Sequence, residues 1–293
     1  MAKETLTRKE ELKPVIPLKA GQQLPLSRPL VMGILNVTPD SFSDGGKFQT
    51  FESAKDRALQ IRDEGADILD IGGESTRPGS SPVTPTEEIR RVIPVIEAVR
   101  PELRIPISVD TTSAATARAA LDAGADIVND ISALRFDPEM AQVVAEHKVP
   151  VVLMHMLGSP KDMQVSPNYV DCIKEIMDFF RERIDFAVNQ GIDRSKIIID
   201  PGIGFGKRLS DNIEILTNLS EFTKLGLPIL IGTSRKSFIG MLSGLDNEAS
   251  ERIGGSIGSM VAAVLNGANI VRVHDVKESV EALKVVAAVR GNR

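Results

Sequence analysis

The chain has 293 residues, a formal net charge of −5, 42% hydrophobic and 26% charged residues. This is globular composition with material for a large core, and it lacks the overall basic footprint of a nucleic-acid binder. One Cys, three His, one Tyr and no Trp exclude an internal disulfide, a Cys-based zinc cage, a His-rich metal site and an aromatic stacking platform. Any active site must be built from Asp, Asn, Lys, Arg and backbone.

Residues 1–29 mix Lys, Arg and Glu with Pro and Gly and are read as an extension, packed outside or mobile, before a single domain over 30–293. They hold no apolar run of signal-peptide length, and no run of ~18 apolar residues occurs anywhere, so a cytoplasmic protein is expected.

From residue 30 onward short β-branched runs alternate with helical patterns. Strands are expected over 30–36, 67–72, 105–110, 126–129, 149–154, 196–200, 228–232 and 269–274. Helices are expected over 51–64, 86–99, 113–123, 138–147, 169–190, 210–219, 249–266 and 277–289. A phrase marks three of the joints: Gly65-Ala66-Asp67, Gly124-Ala125-Asp126 and Gly267-Ala268-Asn269. Each glycine reads as a positive-φ residue ending a helix just before a strand. Eight β/α repeats define an α/β fold with a parallel sheet, a (β/α)8 TIM barrel as a single domain. An open doubly wound sheet is the alternative, weakened because no Gly-rich dinucleotide turn follows the first strand.

The joints after the first two strands, 37–50 and 73–85, are each about a dozen residues, long enough to be functional loops on a barrel's active face. The strands also end on polar residues: Asn36, Asp70, Asp110, Asn129, Met154 with His155, Asp200, then Thr233–Lys236, then Arg272 with His274. One such end is an ordinary exit into a loop; this many around one mouth mark a site. Which of them face inward is not fixed by the pattern. Gly202-Ile203-Gly204-Phe205-Gly206-Lys207 fails as a phosphate loop, because Pro201 and Arg208 occupy the positions that need Gly and Ser or Thr. Ser234-Arg235-Lys236-Ser237 and Arg272-Val273-His274, at the last two strands, suit a phosphate or pyrophosphate. Cys172 reads as an inert helix residue.

These segments carry a family resemblance. Residues 34–46 (Ile-Leu-Asn-Val-Thr-Pro-Asp-Ser-Phe-Ser-Asp-Gly-Gly) and 72–79 (Gly-Gly-Glu-Ser-Thr-Arg-Pro-Gly) resemble the first two loops of dihydropteroate synthases. Ser108–Thr111, Val128–Ile131, Leu153–Met156, Asp200–Lys207, Ser234–Ser237 and Arg272–Asp275 match the remaining blocks in order.

The resemblance implies a transferase of folate biosynthesis. It would join p-aminobenzoate to 6-hydroxymethyl-7,8-dihydropterin pyrophosphate by an SN1-like displacement, with Mg²⁺ beside the diphosphate, sulfonamides as competitors and a homodimer as the assembly. By the same resemblance Asp110, Asn129, Met154, Asp200, Phe205 and Lys236 would hold the pterin. Asn36, Thr76, Arg77, Ser237, Arg272 and His274 would hold the pyrophosphate. Phe42, Ser43, Thr76, Pro78, Lys236 and Ser237 would border p-aminobenzoate. Asn36 or Asp40 would reach the metal, and Asn36, Asp40, Asp110, Asp200 and Lys236 would act in the reaction. A pterin-dependent methyltransferase would not need the 34–46 block or the strand 7–8 cations. A Schiff-base aldolase using Lys236, or a pterin-binding homologue without turnover, completes the alternatives.

Overall fold

The computed structural model describes residues 15–37, 47–74, 83–244 and 248–290, the side chains of 47–50 excepted. A short antiparallel hairpin comes first: β1 (Val15–Pro17) and β2 (Gln23–Pro25), with Ile16 opposite Leu24. The repeats follow: β3 (Leu30–Asn36), α1 (Lys47–Asp63), β4 (Ile68–Gly72), α2 (Pro85–Val99), β5 (Ile107–Asp110), α3 (Ala114–Asp122), β6 (Ile127–Asp130), α4 (Met140–His147), β7 (Val151–Met154) and α5 (Cys172–Asn189). The second half holds β8 (Ile197–Asp200), α6 (Leu209–Thr217), β9 (Leu230–Ile231), α7 (Ser237–Ser243), α8 (Ile253–Leu265), β10 (Ile270–Val273) and α9 (Val276–Val289). All eight expected barrel strands are present.

The sheet runs β8-β7-β6-β5-β4-β3-β10-β9, and every pairing in it is parallel. A further parallel bridge, Ile199 to Ile229, joins its two ends, so the open-sheet alternative falls. Among the described residues no helix is long and apolar enough to cross a membrane.

Strand alternation sorts side chains into two shells. Val31, Leu69, Val109, Val128, Leu153, Ile199 and Val271 pack outward under the helices. The other parity, Leu30, Met32, Ile68, Ile127, Val152, Ile198, Leu230 and Ile270, fills one end of the barrel interior. Two residues further along the strands, this inward parity reaches Asp70, Asn129, Met154, Asp200 and Arg272, and Ser108 and Asp110 share it through their pairing with Asp70 and Gly72. Asp70, Ser108, Asp110, Asn129, Met154, Asp200 and Arg272 therefore face into the mouth, whereas His155 takes the outward parity of Leu153.

Residues 15–26 are not peripheral. Ile16, Leu18, Leu24 and Leu26 are buried against that interior layer and plug the end opposite the mouth. Each buried side chain contributes at most ~1.5–3 kcal/mol. Lys19 donates to the carbonyls of Leu121 (3.1 Å) and Ala125 (3.2 Å), and Lys196 to that of Pro17 (3.0 Å), tying the hairpin to the rim.

The repeated phrase is a structural unit. Gly65, Gly124 and Gly267 have φ of 99°, 113° and 113°, and the N–H groups of Ala66, Ala125 and Ala268 reach back five residues to close the preceding helix. The third residue then binds the neighbouring strand through its side chain. Asp67 accepts from Val31 N, Asp126 from Ile107 N and Asn269 from Ile229 N, each at 2.9 Å. Asp126 also holds Arg100 (2.9 Å). Replacing Asp126 by Ala leaves the Ile107 N–H and the Arg100 guanidinium without this acceptor. We expect a loss of about 1–3 kcal/mol in urea unfolding with turnover preserved.

Two elements differ from expectation. The helix expected over 249–266 breaks at Arg252, with a 3-10 turn (Ala249–Glu251) before α8. A seven-residue helix, α7, stands directly after the β9 exit, too short to show a helical period in sequence.

Candidate active site

The mouth is organised around two charged groups. In the first, Arg272 on β10 bridges two carboxylates, its Nε donating to Asp70 Oδ2 and its Nη2 to Asp110 Oδ2, both at 2.6 Å. Asn129 Nδ2 donates to the same Asp70 oxygen at 3.3 Å. Burial works against the Arg272 charge, yet Asp70 and Asp110 hold its pKa above the ordinary value. Burial pushes Asp110 up to about 7; Arg272 opposes the shift and Asp70 adds to it. The exit of β5 is braced from behind by Glu88 of α2, which accepts from the hydroxyls of Thr111 (2.9 Å) and Thr116 (2.7 Å).

The second group lies across the mouth. Asp200 ends β8 and accepts from Gly202 N at 2.7 Å. Burial raises its pKa, against the pull of Lys236. Lys236, just after β9, donates to the carbonyl of Ile203 and sits 4.8 Å from the Phe205 ring centroid. Burial lowers its pKa to about 8, with Asp200 opposing. Met154, Met156, Met163 and Ile131 form an apolar cluster on which Phe205 packs. The result is a cleft with acidic and amide acceptors, an apolar floor and two cations. It suits a flat heterocycle with N–H donors on its edge and an anionic tail.

The structure brings Asp110, Asn129, Met154, Asp200, Phe205, Lys236 and Arg272 to this mouth. Asn36 ends β3, beside β4 and half-buried. Ser237 opens α7. His274 lies just past β10, its Nδ1 3.1 Å from Ser234 Oγ. The two cations after β9 part company: Lys236 enters the cleft, whereas Arg235, at φ 61°, pairs with Asp275. Asp40, Phe42, Ser43, Thr76, Arg77 and Pro78 lie outside the described residues. Cys172 is buried at the start of α5, its thiol pushed up to about 12 by burial, in keeping with an inert residue.

Asp70, one of the polar strand ends but without an assigned role in the sequence, is the acceptor shared by Arg272 and Asn129. Its only mark in the sequence is a carboxylate close to the end of a strand, and the partner that gives it a role is 202 residues away. Lys207, inside a matching block but likewise without an assigned role, is buried beside His155.

A (β/α)8 barrel with such a mouth defines a class: enzymes that bind a flat, polar-edged heterocycle at the C-terminal ends of the strands. A sequence model described as pterin binding enzyme matches residues 32–274. The dihydropteroate synthase of Synechocystis sp. is 50% identical over 275 residues, 93% of this chain and 94% of that protein. The structure of the Xanthomonas albilineans dihydropteroate synthase with 4-aminobenzoic acid aligns with a TM-score of 0.89 at 48% identity, over 95% of this chain and 98% of that one. A second structure of the Xanthomonas albilineans synthase, in complex with 7,8-dihydropteroate, aligns at 0.86 and 46% identity, over 94% and 99%. The chain belongs to the dihydropteroate synthase family of pterin-binding enzymes.

Proposed function

We propose that this protein joins p-aminobenzoate to the methylene carbon of 6-hydroxymethyl-7,8-dihydropterin pyrophosphate, releasing 7,8-dihydropteroate and pyrophosphate. The observation that carries this reading is the convergence of Asp110, Asn129 and Asp200 with Lys236 and Arg272 on one cleft floored by Met154 and Phe205. The relatives bound to 4-aminobenzoic acid and to 7,8-dihydropteroate support it.

In this reading Asp200, Asn129 and Asp110 accept from or donate to the pterin edge, and Met154 and Phe205 flank the ring. Lys236 meets the ring acceptors and borders the p-aminobenzoate side with Ser237. Arg272, His274 and Asn36 take the diphosphate. Thr76 and Arg77 would join them, and Phe42, Ser43, Thr76 and Pro78 would line the p-aminobenzoate side from the two long loops. The bond from the methylene carbon to the diphosphate oxygen breaks first, leaving a cationic pterin methylene that Asp110 and Asp200 stabilise. The p-aminobenzoate nitrogen donates its lone pair to that carbon and then loses a proton. The step asks little of general bases. It needs a leaving group whose charge is offset and carboxylates facing the positive charge.

Among the described residues no group of three or more His, Cys, Asp or Glu stands ready to hold a metal. Asn36, half-buried at the end of β3, offers a single neutral amide oxygen, a donor that fits Mg²⁺ taking most of its ligands from the diphosphate and water. Asn36 would supply the protein oxygen, with Asp40 as the alternative. The ion would ease departure of pyrophosphate. As the assembly we propose a homodimer seated on α6, α7 and α8. A groove of about 680 Å³ lined by Ile213, Leu216, Phe238 and Leu242 opens there, with Met241 and Leu265 exposed beside it. As in the sequence expectation, we place the protein in the cytoplasm.

The test is pyrophosphate release from the pterin substrate. We expect release that requires p-aminobenzoate and Mg²⁺ and that a sulfonamide inhibits competitively with p-aminobenzoate. Pterin binding without release would instead make the protein a binding homologue. Positional isotope exchange within the diphosphate, in the absence of amine attack, is the expected mark of dissociation before addition.

A further inference from the structure

The segment 202–207, which fails as a phosphate loop, ends in a lysine that the reaction outlined above does not use. Lys207 is 4% exposed. Its Nζ lies 3.0 Å from His155 Nδ1, 3.3 Å from His155 O and 3.0 Å from Phe205 O. Three acceptors meet the three donors of an ammonium. Among the described residues none of its hydrogen bonds goes to a carboxylate, although a buried cation without a paired anion is costly. Burial pushes its pKa down to about 7. Burial first, then Lys207 and Arg135, keeps the His155 imidazole well below its ordinary value, so the ring is neutral and Nδ1 accepts.

What Lys207 joins is the exit turn of β7 to the exit turn of β8. The same two turns meet through His155 N and Asp200 O at 2.8 Å. The β8 turn is pinned further by Gln164 Nε2 to Gly204 O (2.7 Å) and Tyr169 OH to Gly206 O (2.8 Å). From the cleft side Lys236 grips the same turn at Ile203 O and over the Phe205 ring. Asp200 and Phe205 ride on the strip held between these two lysines.

We propose that Lys207 is a positioning residue for the pterin substrate: by clamping His155 and the Phe205 carbonyl from behind, it fixes Asp200 and the Phe205 ring in the geometry that receives the pterin. This rests on the function proposed above. It assigns Lys207 no contact with substrate.

The experiment compares wild type with Lys207→Met, His155→Leu and His155→Gln, the last keeping a polar acceptor. Steady-state kinetics are read with each substrate varied at saturation of the other, and pterin affinity by calorimetry with 6-hydroxymethylpterin. For Lys207→Met we expect the pterin KM and the calorimetric Kd to rise about tenfold, while the p-aminobenzoate KM stays within about twofold. His155→Leu should show the same selective rise in smaller measure, and His155→Gln should restore part of it. Equal rises in both KM values, or a lower Tm with both KM values unchanged, would reduce Lys207 to a stabilising contact and overturn the proposal. Should Lys207→Met not fold, the His155 pair decides by the same selective rise and rescue. A wild type that neither binds pterin nor forms dihydropteroate sinks the function reading and this inference with it. A fully active wild type with unshifted variants sinks the inference alone.

Discussion

Arg272→Ala is expected to cost about 10²–10³ in turnover and, near neutral pH, about 3–5 kcal/mol of stability. The turnover loss follows from removing a cation from the diphosphate side of the cleft. The stability loss follows from leaving Asp70 and Asp110 facing each other, buried, without the guanidinium that bridges them at 2.6 Å. The effect carries a pH signature. Asp110 is raised from 3.8 to about 7 by burial, with Arg272 pulling it down. A carboxyl raised in the folded state contributes stability at low pH, where it is protonated, and loses it as pH rises through the folded value. Without Arg272 that value climbs further, so the loss deepens and extends to higher pH. The Tm gap between wild type and variant should be wider near about pH 8 than near about pH 5. Equal gaps at both would show that Asp110 does not carry the effect. Adding Asp110→Asn to the variant should recover part of the stability and none of the activity.

Gly202→Ala should be comparably damaging for a different reason. Gly202 has φ 70°, and a Cβ there would lie 2.0 Å from the carbonyl oxygen of His155, a backbone atom that cannot step aside alone. Two turns would have to separate, taking Asp200 with them. We expect a cost above about 3 kcal/mol and a collapse of pterin affinity. Gly226→Ala is the control: its φ is 67°, but no atom lies within 4 Å of the added Cβ. It should pay only the left-handed backbone term, about 1–2 kcal/mol, and leave kinetics intact. Similar losses in the two variants would mean that backbone conformation, and not the seam between the turns, sets the requirement.

The barrel was legible because its grammar is local. Apolar runs of four to seven residues, helices between them and three Gly-Ala-Asx joints are all written within windows that a single pass along the chain can see. Which parity of each strand faces inward was not legible, since both faces of Val-Ile-Leu strands are buried and alternation vanishes from the sequence. The site divides in the same way. Asp110, Asn129, Asp200, Lys236 and Arg272 announced themselves as polar strand ends or motif residues. Asp70 looked no different, yet its importance lies in a contact with Arg272 that only barrel closure creates. A glycine-rich turn ending in lysine need not hold phosphate, and Lys207 holds the backbone carbonyls of His155 and Phe205 instead. Nothing local in residues 15–26 marks a packed hairpin, because Ile16, Leu18, Leu24 and Leu26 are spaced by Pro, Lys and Gly. Their apolar character makes sense only beneath the barrel.

The strand order bears on how such a chain is made. Every pairing inside the sheet joins strands neighbouring in sequence except β3 with β10, where residues 30–33 meet 270–273. Until β10 has been synthesised, Leu30–Gly33 present an open parallel edge backed by apolar faces, the kind of surface that recruits other chains. A growing chain is therefore expected to carry one open seam along β3 until residues 270–273 are available to close it. Truncations upstream of β10 should lead to aggregates, not to smaller folded barrels, and crowded expression should be felt first at this seam.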